Sequence, residues 1–128
     1  MITGTVNADL EAIIRLTVRG PTGQARAVKA IIDTGFDGWL TLTPKIVAAL
    51  GLPWRKRDRA PLADGSIAVC DVFHAAVVWD RRRHFIEVDE ADTTPLVGTA
   101  LLARFELNIQ FLVGGKVTIK ALGRRGRP

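Results

Sequence analysis

Apolar and polar positions alternate along residues 12–18, where Ile14, Leu16 and Val18 are offset by Arg15, Thr17 and Arg19. A period of two predicts a half-buried strand. A second apolar-rich run, residues 25–32, follows Gly20-Pro21-Thr22-Gly23, a turn signal, so the two runs read as a hairpin that delivers Asp33 to its end. After a short strand at 40–42, Thr43-Pro44 supplies an N-cap and a first-turn proline. This predicts a helix through residues 45–50, ended by Gly51 and kept from resuming by Pro53. Residues 59–63 and 67–79 flank Asp64-Gly65-Ser66, a hairpin tip by its turn chemistry. Asp80-Arg81-Arg82-Arg83 predicts the next turn, Phe85, Ile86 and Val88 a strand, and Asp89-Glu90-Ala91-Asp92 an acidic loop. Residues 95–105 read as strand, tight turn and short helix. Residues 106–111 and 116–122 then form a final hairpin about Gly114-Gly115.

Many short strands and only two short helices predict a mainly β, mainly antiparallel domain, a barrel or folded-over sheet, and argue against a parallel α/β fold. A chain of 128 residues suits one domain and can close a core without disulfides. The domain is expected over residues 1–122, with residues 123–128 a basic, flexible tail. Hydrophobic residues at 48% and charged residues at 24% exclude disorder as the main state. The single cysteine, Cys70, has no intrachain disulfide partner and reads as a small buried hydrophobe. No secretory leader and no apolar run of roughly 20 residues is present, so a cytoplasmic protein without membrane association is expected.

The formal charge of +5 is concentrated in Arg55-Lys56-Arg57, Arg81-Arg82-Arg83 and Arg124-Arg125-Gly126-Arg127. Short clusters beside Pro, Gly and Asp read as solvated loops and a tail, which disfavours nucleic acid as a partner. His74 and His84 have no metal-ligand spacing, and no phosphate-cradling loop or dinucleotide fingerprint occurs, so neither metal nor cofactor is expected. Trp39, Trp54 and Trp79 read as core or rim.

The chemistry lies in Ala30-Ile31-Ile32-Asp33-Thr34-Gly35-Phe36. An ionised carboxylate at the end of an apolar strand must be hydrogen-bonded, paired or protonated. Taken alone, Asp33 is also compatible with an aspartate that merely closes a turn. The order of elements is more specific. Apolar-apolar-Asp-Thr-Gly, then a hairpin with glycine near its tip, then Leu96-Val97-Gly98 before a short helix resemble the retropepsin-like aspartic proteases over roughly residues 12–122. The Asp-Thr-Gly-Phe reading of residues 33–36 is similar to that of the small bacterial and archaeal members.

The resemblance implies a closed acid-protease β-barrel of a single lobe, and an aspartic endopeptidase that activates water without metal, cofactor or covalent intermediate. Such hydrolysis uses two carboxylates sharing a proton, one drawing a proton from water while the other polarises the scissile carbonyl. The chain has one Asp-Thr-Gly, since Asp37-Gly38 and Asp64-Gly65 lack its surroundings. The second carboxylate is therefore expected from a second copy in a twofold homodimer, with activity greatest below neutral pH. By the same resemblance Asp33 is catalytic, Thr34 hydrogen-bonds across the dimer, and Gly35 lets the backbone approach the carboxylates. Leu62, Ala63, Asp64, Gly65 and Ser66 form a flap over a peptide or protein substrate, with Asp64 and Ser66 as candidate contacts to its backbone. Leu96, Val97 and Gly98 pack behind the catalytic loop. Phe36 departs from the Ala or Ser of retroviral enzymes and is expected to reshape the adjoining pocket. Two rival readings are a catalytically inactive dimeric module that binds protein or peptide, and, less favoured, a nucleic-acid-binding domain using the arginine clusters.

Overall fold

The computed structural model describes residues 1–123; the basic tail expected at the C-terminus lies, from Arg124 onward, outside the described residues. Its elements in order are β1 (Ile2–Val6), β2 (Ala12–Arg19), β3 (Ala25–Ile32), β4 (Leu40–Leu42), α1 (Pro44–Leu50), β5 (Trp54–Pro61), β6 (Ile67–Trp79), β7 (Arg82–Glu90), β8 (Leu96–Val97), α2 (Thr99–Leu102), β9 (Phe105–Ile109) and β10 (Lys116–Ala121). The alternation in β2 is realised side chain by side chain, with Ala12, Ile14, Leu16 and Val18 buried. The helix signals also hold. Thr43 Oγ1 accepts the Ile46 N–H at 3.3 Å, and Gly51, at φ 60, turns the chain out after α1.

Sheet order runs β5-β6-β7-β4-β8-β3-β2-β1-β10-β9, with β6 also paired to β2. That extra pairing closes the sheet on itself. One edge of β2 is taken by β3, while its other edge is shared, Ala12–Ile14 going to β1 and Thr17–Arg19 going to β6. The ring β2-β3-β8-β4-β7-β6 therefore closes around an apolar interior that includes Val18, Val28, Leu40, Leu42, Val77 and Val88. Two of its contacts, β3 with β8 and β4 with β7, are parallel, and the other ladders are antiparallel. Beyond β1, strands β10 and β9 extend the sheet outward. Trp79 meets Phe105 edge-on, ring centroids 5.9 Å apart, and so ties this extension to the ring.

Several boundaries differ from expectation for one reason, backbone pairing with a distant strand. Ile2–Val6 is a strand although Thr3, Gly4 and Thr5 dilute its apolar signal, because β2 and β10 pair with both of its edges. The polar run 55–59, left outside the expected strand except for Arg59, is held along β6. Arg57 Nε lies 3.2 Å from Asp71, and Arg55 Nε 3.0 Å from Glu87. The expected four-residue turn narrows to Asp80-Arg81, both at positive φ, as hairpin twist demands of a two-residue connection. Asp89 and Glu90, expected in a loop, are strand residues paired to Thr41 and Leu42. Among the described residues no helix is long and apolar enough to cross a membrane.

Leu40 has no exposed surface and lies in the ring between β7 and β8. Leu40→Ala is expected to cost about 2–5 kcal/mol, read as a lower urea midpoint at unchanged denaturant slope.

Candidate active site

At the end of β3 the chain makes one more ladder bond: the Asp33 N–H donates to Val97 O at 2.9 Å. The backbone of Asp33 is thereby fixed by β8, and its half-buried side chain emerges where the parallel strands stop. The Gly35 N–H donates to Asp33 Oδ1 at 2.9 Å, and the Phe36 N–H donates to Asp33 O at 3.1 Å. This tight turn answers part of the charge problem within the chain, since one carboxylate oxygen has a backbone donor. A Cβ added at Gly35 would stand 3.3 Å from that oxygen, so a side chain would crowd the carboxylate. Thr34 is exposed, and its hydroxyl has no hydrogen-bond partner among the described residues.

The loop after Asp33 is stitched to the start of α2. Thr99 N–H donates to Phe36 O at 2.9 Å, Ala100 N–H to Gly38 O at 3.1 Å, and Gly98 N–H to Trp39 O at 3.1 Å. Buried Thr41 completes the junction, its Oγ1 accepting the Leu96 N–H at 2.9 Å. Glycine is required at position 98, because a Cβ there would overlap the Gly38 carbonyl oxygen and come within 2.6 Å of the Phe36 ring. Phe36 thus forms the floor beneath Gly38 and Gly98, which gives the unusual residue of the motif a packing role. Neither Phe36 nor Thr41 as a brace is predictable from local pattern; their partners lie far away in sequence.

The hairpin tip is closed by its own bonds. Leu62 N–H donates to Ser66 O at 2.8 Å and Gly65, at φ +88, donates to Leu62 O at 3.0 Å. Asp64 Oδ1 accepts both the Ser66 N–H at 2.9 Å and the Ser66 hydroxyl at 2.5 Å. Those bonds hold the Asp64 carboxyl below the usual carboxylate range. Asp64 and Ser66 therefore satisfy one another, while Leu62, Ala63 and Ile67 stand exposed around them. No hydrogen bond among the described residues joins this tip to the Asp33 turn.

Its stem does share a space with the motif loop. Asp37, Asp58, Arg59, Ala68, Cys70 and Asp89 line a cleft of about 200 Å³. Burial, then the nearby charges of Asp58 and Glu87, push the Asp89 carboxyl up, with Lys56 partly offsetting them. Burial, then the charges of Asp89, Asp58, Asp71 and Glu90, raise the Cys70 thiol, which is half-buried rather than fully buried as the sequence suggested. This acidic trio was invisible beforehand because its members come from three separate segments. His74 and His84 are exposed on β6 and β7, and among the described residues no group of three His, Cys, Asp or Glu could hold a metal ion.

No family model and no curated protein matches the sequence. The architecture does find a match. The crystal structure of a retropepsin-like aspartic protease from Rickettsia conorii aligns with a TM-score of 0.55 and 19% identity, covering 95% of this chain and 91% of that one. The chain has the retropepsin-like fold. Within it, the mainly β ring with two short helices is the architecture that the order of sequence motifs implied.

Two measurements probe the energetics of this region. Gly98→Ala should destabilise by about 1–3 kcal/mol through overpacking, seen as a lower melting temperature. For Asp89 the folded state holds the proton more tightly than the unfolded chain, so stability is lost as pH rises from the ordinary aspartate pKa through the raised folded value. Asp89→Asn should therefore raise the melting temperature at neutral pH. It should leave that temperature unchanged below roughly pH 4.

Proposed function

We propose that residues 1–122 are an aspartic endopeptidase domain, active as a homodimer in which Asp33 from each subunit contributes one of two facing carboxylates. The observation that carries this reading is the Asp33-Thr34-Gly35 turn at the end of β3, bonded through Val97 to β8 and abutting Gly98, in a retropepsin-like fold. The single copy of the motif, with Thr34 exposed and unpartnered among the described residues, supports a site completed by a second chain. In that site the ionised carboxylate takes a proton from water as the water attacks the scissile carbonyl. The protonated carboxylate donates to the carbonyl oxygen, and a proton then passes to the departing amine. Two carboxylates in contact cannot both ionise cheaply, so the competent form holds one shared proton.

The hairpin of β5 and β6 serves as a flap over a peptide or protein substrate, its exposed Leu62 and Ala63 supplying apolar contact and the Asp64–Ser66 bonds keeping its tip a rigid unit. Leu96, Val97 and Gly98 hold the catalytic turn from behind. An unpaired Cys70 suits action in the reducing cytoplasm.

Purified protein is expected to cleave casein between about pH 4 and 7, with inhibition by a pepstatin-like compound. Asp33→Asn should lower the rate about 10³-fold or more while leaving the fold and the dimer intact. Undiminished cleavage by the pure variant would remove the assignment, and a dimer that binds peptide without cleaving it would favour the non-catalytic reading.

A further inference from the structure

Along β7 every second residue faces the inside of the ring. Val88 and Ile86 are buried there, as an apolar interior requires. The same face continues as His84 and Arg82, both exposed. Directly opposite strand residues share a face, and the register sets His84 against buried Val77 and Arg82 against buried Trp79. The inward face of this hairpin therefore changes from aliphatic to cationic where it leaves the core. Arg83 stands opposite Val78 on the other face. The arginine run at the hairpin is thus split, with Arg82 on the inward side and Arg83 on the outward one.

A cavity of about 260 Å³ lies at this end of the hairpin, where it meets the start of β9 and the end of β10. Arg82, His84 and Arg104 line it together with apolar Trp79, Phe105 and Leu122. Its one acid, Asp80, is already engaged, because Oδ1 accepts the N-terminal ammonium at 2.9 Å. Among the described residues the side chains of Arg82, His84 and Arg104 make no ion pair and no hydrogen bond. The buried indole Nε1 of Trp79 likewise has no hydrogen-bond partner, a condition that folded proteins seldom keep. Donors gather here without acceptors, since a guanidinium and an indole offer N–H groups only. Arg104 is also pinned in place. Its backbone is left-handed, φ 72, where glycine would sit with less strain, and its carbonyl accepts the Leu122 N–H at 3.0 Å.

We infer that this cavity binds a small organic anion, a carboxylate or phosphate head on an apolar body. The head matches the cations. Guanidinium groups meet carboxylate and phosphate oxygens with paired N–H donors, and an anion between Arg82, Arg104 and His84 replaces repulsion among like charges with attraction. The body matches the rest of the lining. One water needs only about 10–15 Å³, so the space exceeds what a bare head requires, and Trp79, Phe105 and Leu122 offer the remainder an aromatic and aliphatic surface. None of the lining residues belongs to the Asp33 turn, β8 or the tip of the β5–β6 hairpin, so the site does not depend on peptide hydrolysis.

Titration calorimetry of the full chain tests this with phenyl phosphate and phenylacetate, set against inorganic phosphate as a head alone and benzyl alcohol as a neutral body. At least one organic anion should bind one-to-one, about tenfold or more tighter than either control, and the tighter of the two identifies the head. In NMR spectra the indole N–H of Trp79 should shift on saturation while those of Trp39 and Trp54 stay in place. Arg82→Gln and Arg104→Gln should each weaken binding about tenfold at an unchanged melting temperature. Arg83→Gln, on the opposite face, should change it by less than about twofold. Failure of both organic anions to saturate the protein at millimolar concentration would overturn the site. So would inorganic phosphate binding as tightly as phenyl phosphate, or an equal loss in Arg83→Gln, the mark of unspecific attraction to a basic surface.

Discussion

The short parallel ladder between β3 and β8 is the constraint on which the region around Asp33 depends. It pairs Ile31 with Leu96 and Ile32 with Val97, and the Asp33 N–H extends it by one bond to Val97 O. A carboxylate at the end of an apolar strand needs a backbone that cannot drift, and β8 supplies it from far along the chain. Gly98 allows this contact, because a side chain there would displace the Gly38 carbonyl and the Phe36 ring. The start of α2 then anchors the loop from the other side through Thr99 and Ala100.

Charge is organised locally and not by its total. The chain is formally +5, yet the cleft beside the motif loop is lined by Asp37, Asp58 and Asp89 against one arginine, Arg59. Two other bases of β5 meet acids outside that cleft, Arg55 with Glu87 and Arg57 with Asp71. Exposed pairs of this kind contribute little to stability each, but the charged run they belong to discourages pairing along that edge. Closure of the ring has a related consequence. By taking half of one edge of β2, β6 leaves only the other half to β1, and the outer strands must build away from the barrel until β9 is left open.

Features with a local cause were legible in the sequence. Alternation gave β2, Thr43-Pro44 and Gly51 bounded α1, Gly65 shaped the hairpin tip, and the apolar run before Asp33 formed β3. Each depends on a few neighbouring residues, whose period, caps and turn preferences act before any distant contact forms. The tertiary structure decided the rest: that Ile2–Val6 is a strand, that β5 begins at Trp54 and β7 continues through Glu90, and that β6 closes on β2. It also decided that Phe36 and Thr41 brace the junction and that three scattered aspartates share one cleft. These outcomes follow from the register between strands remote in sequence, which side-chain pattern within one segment does not encode.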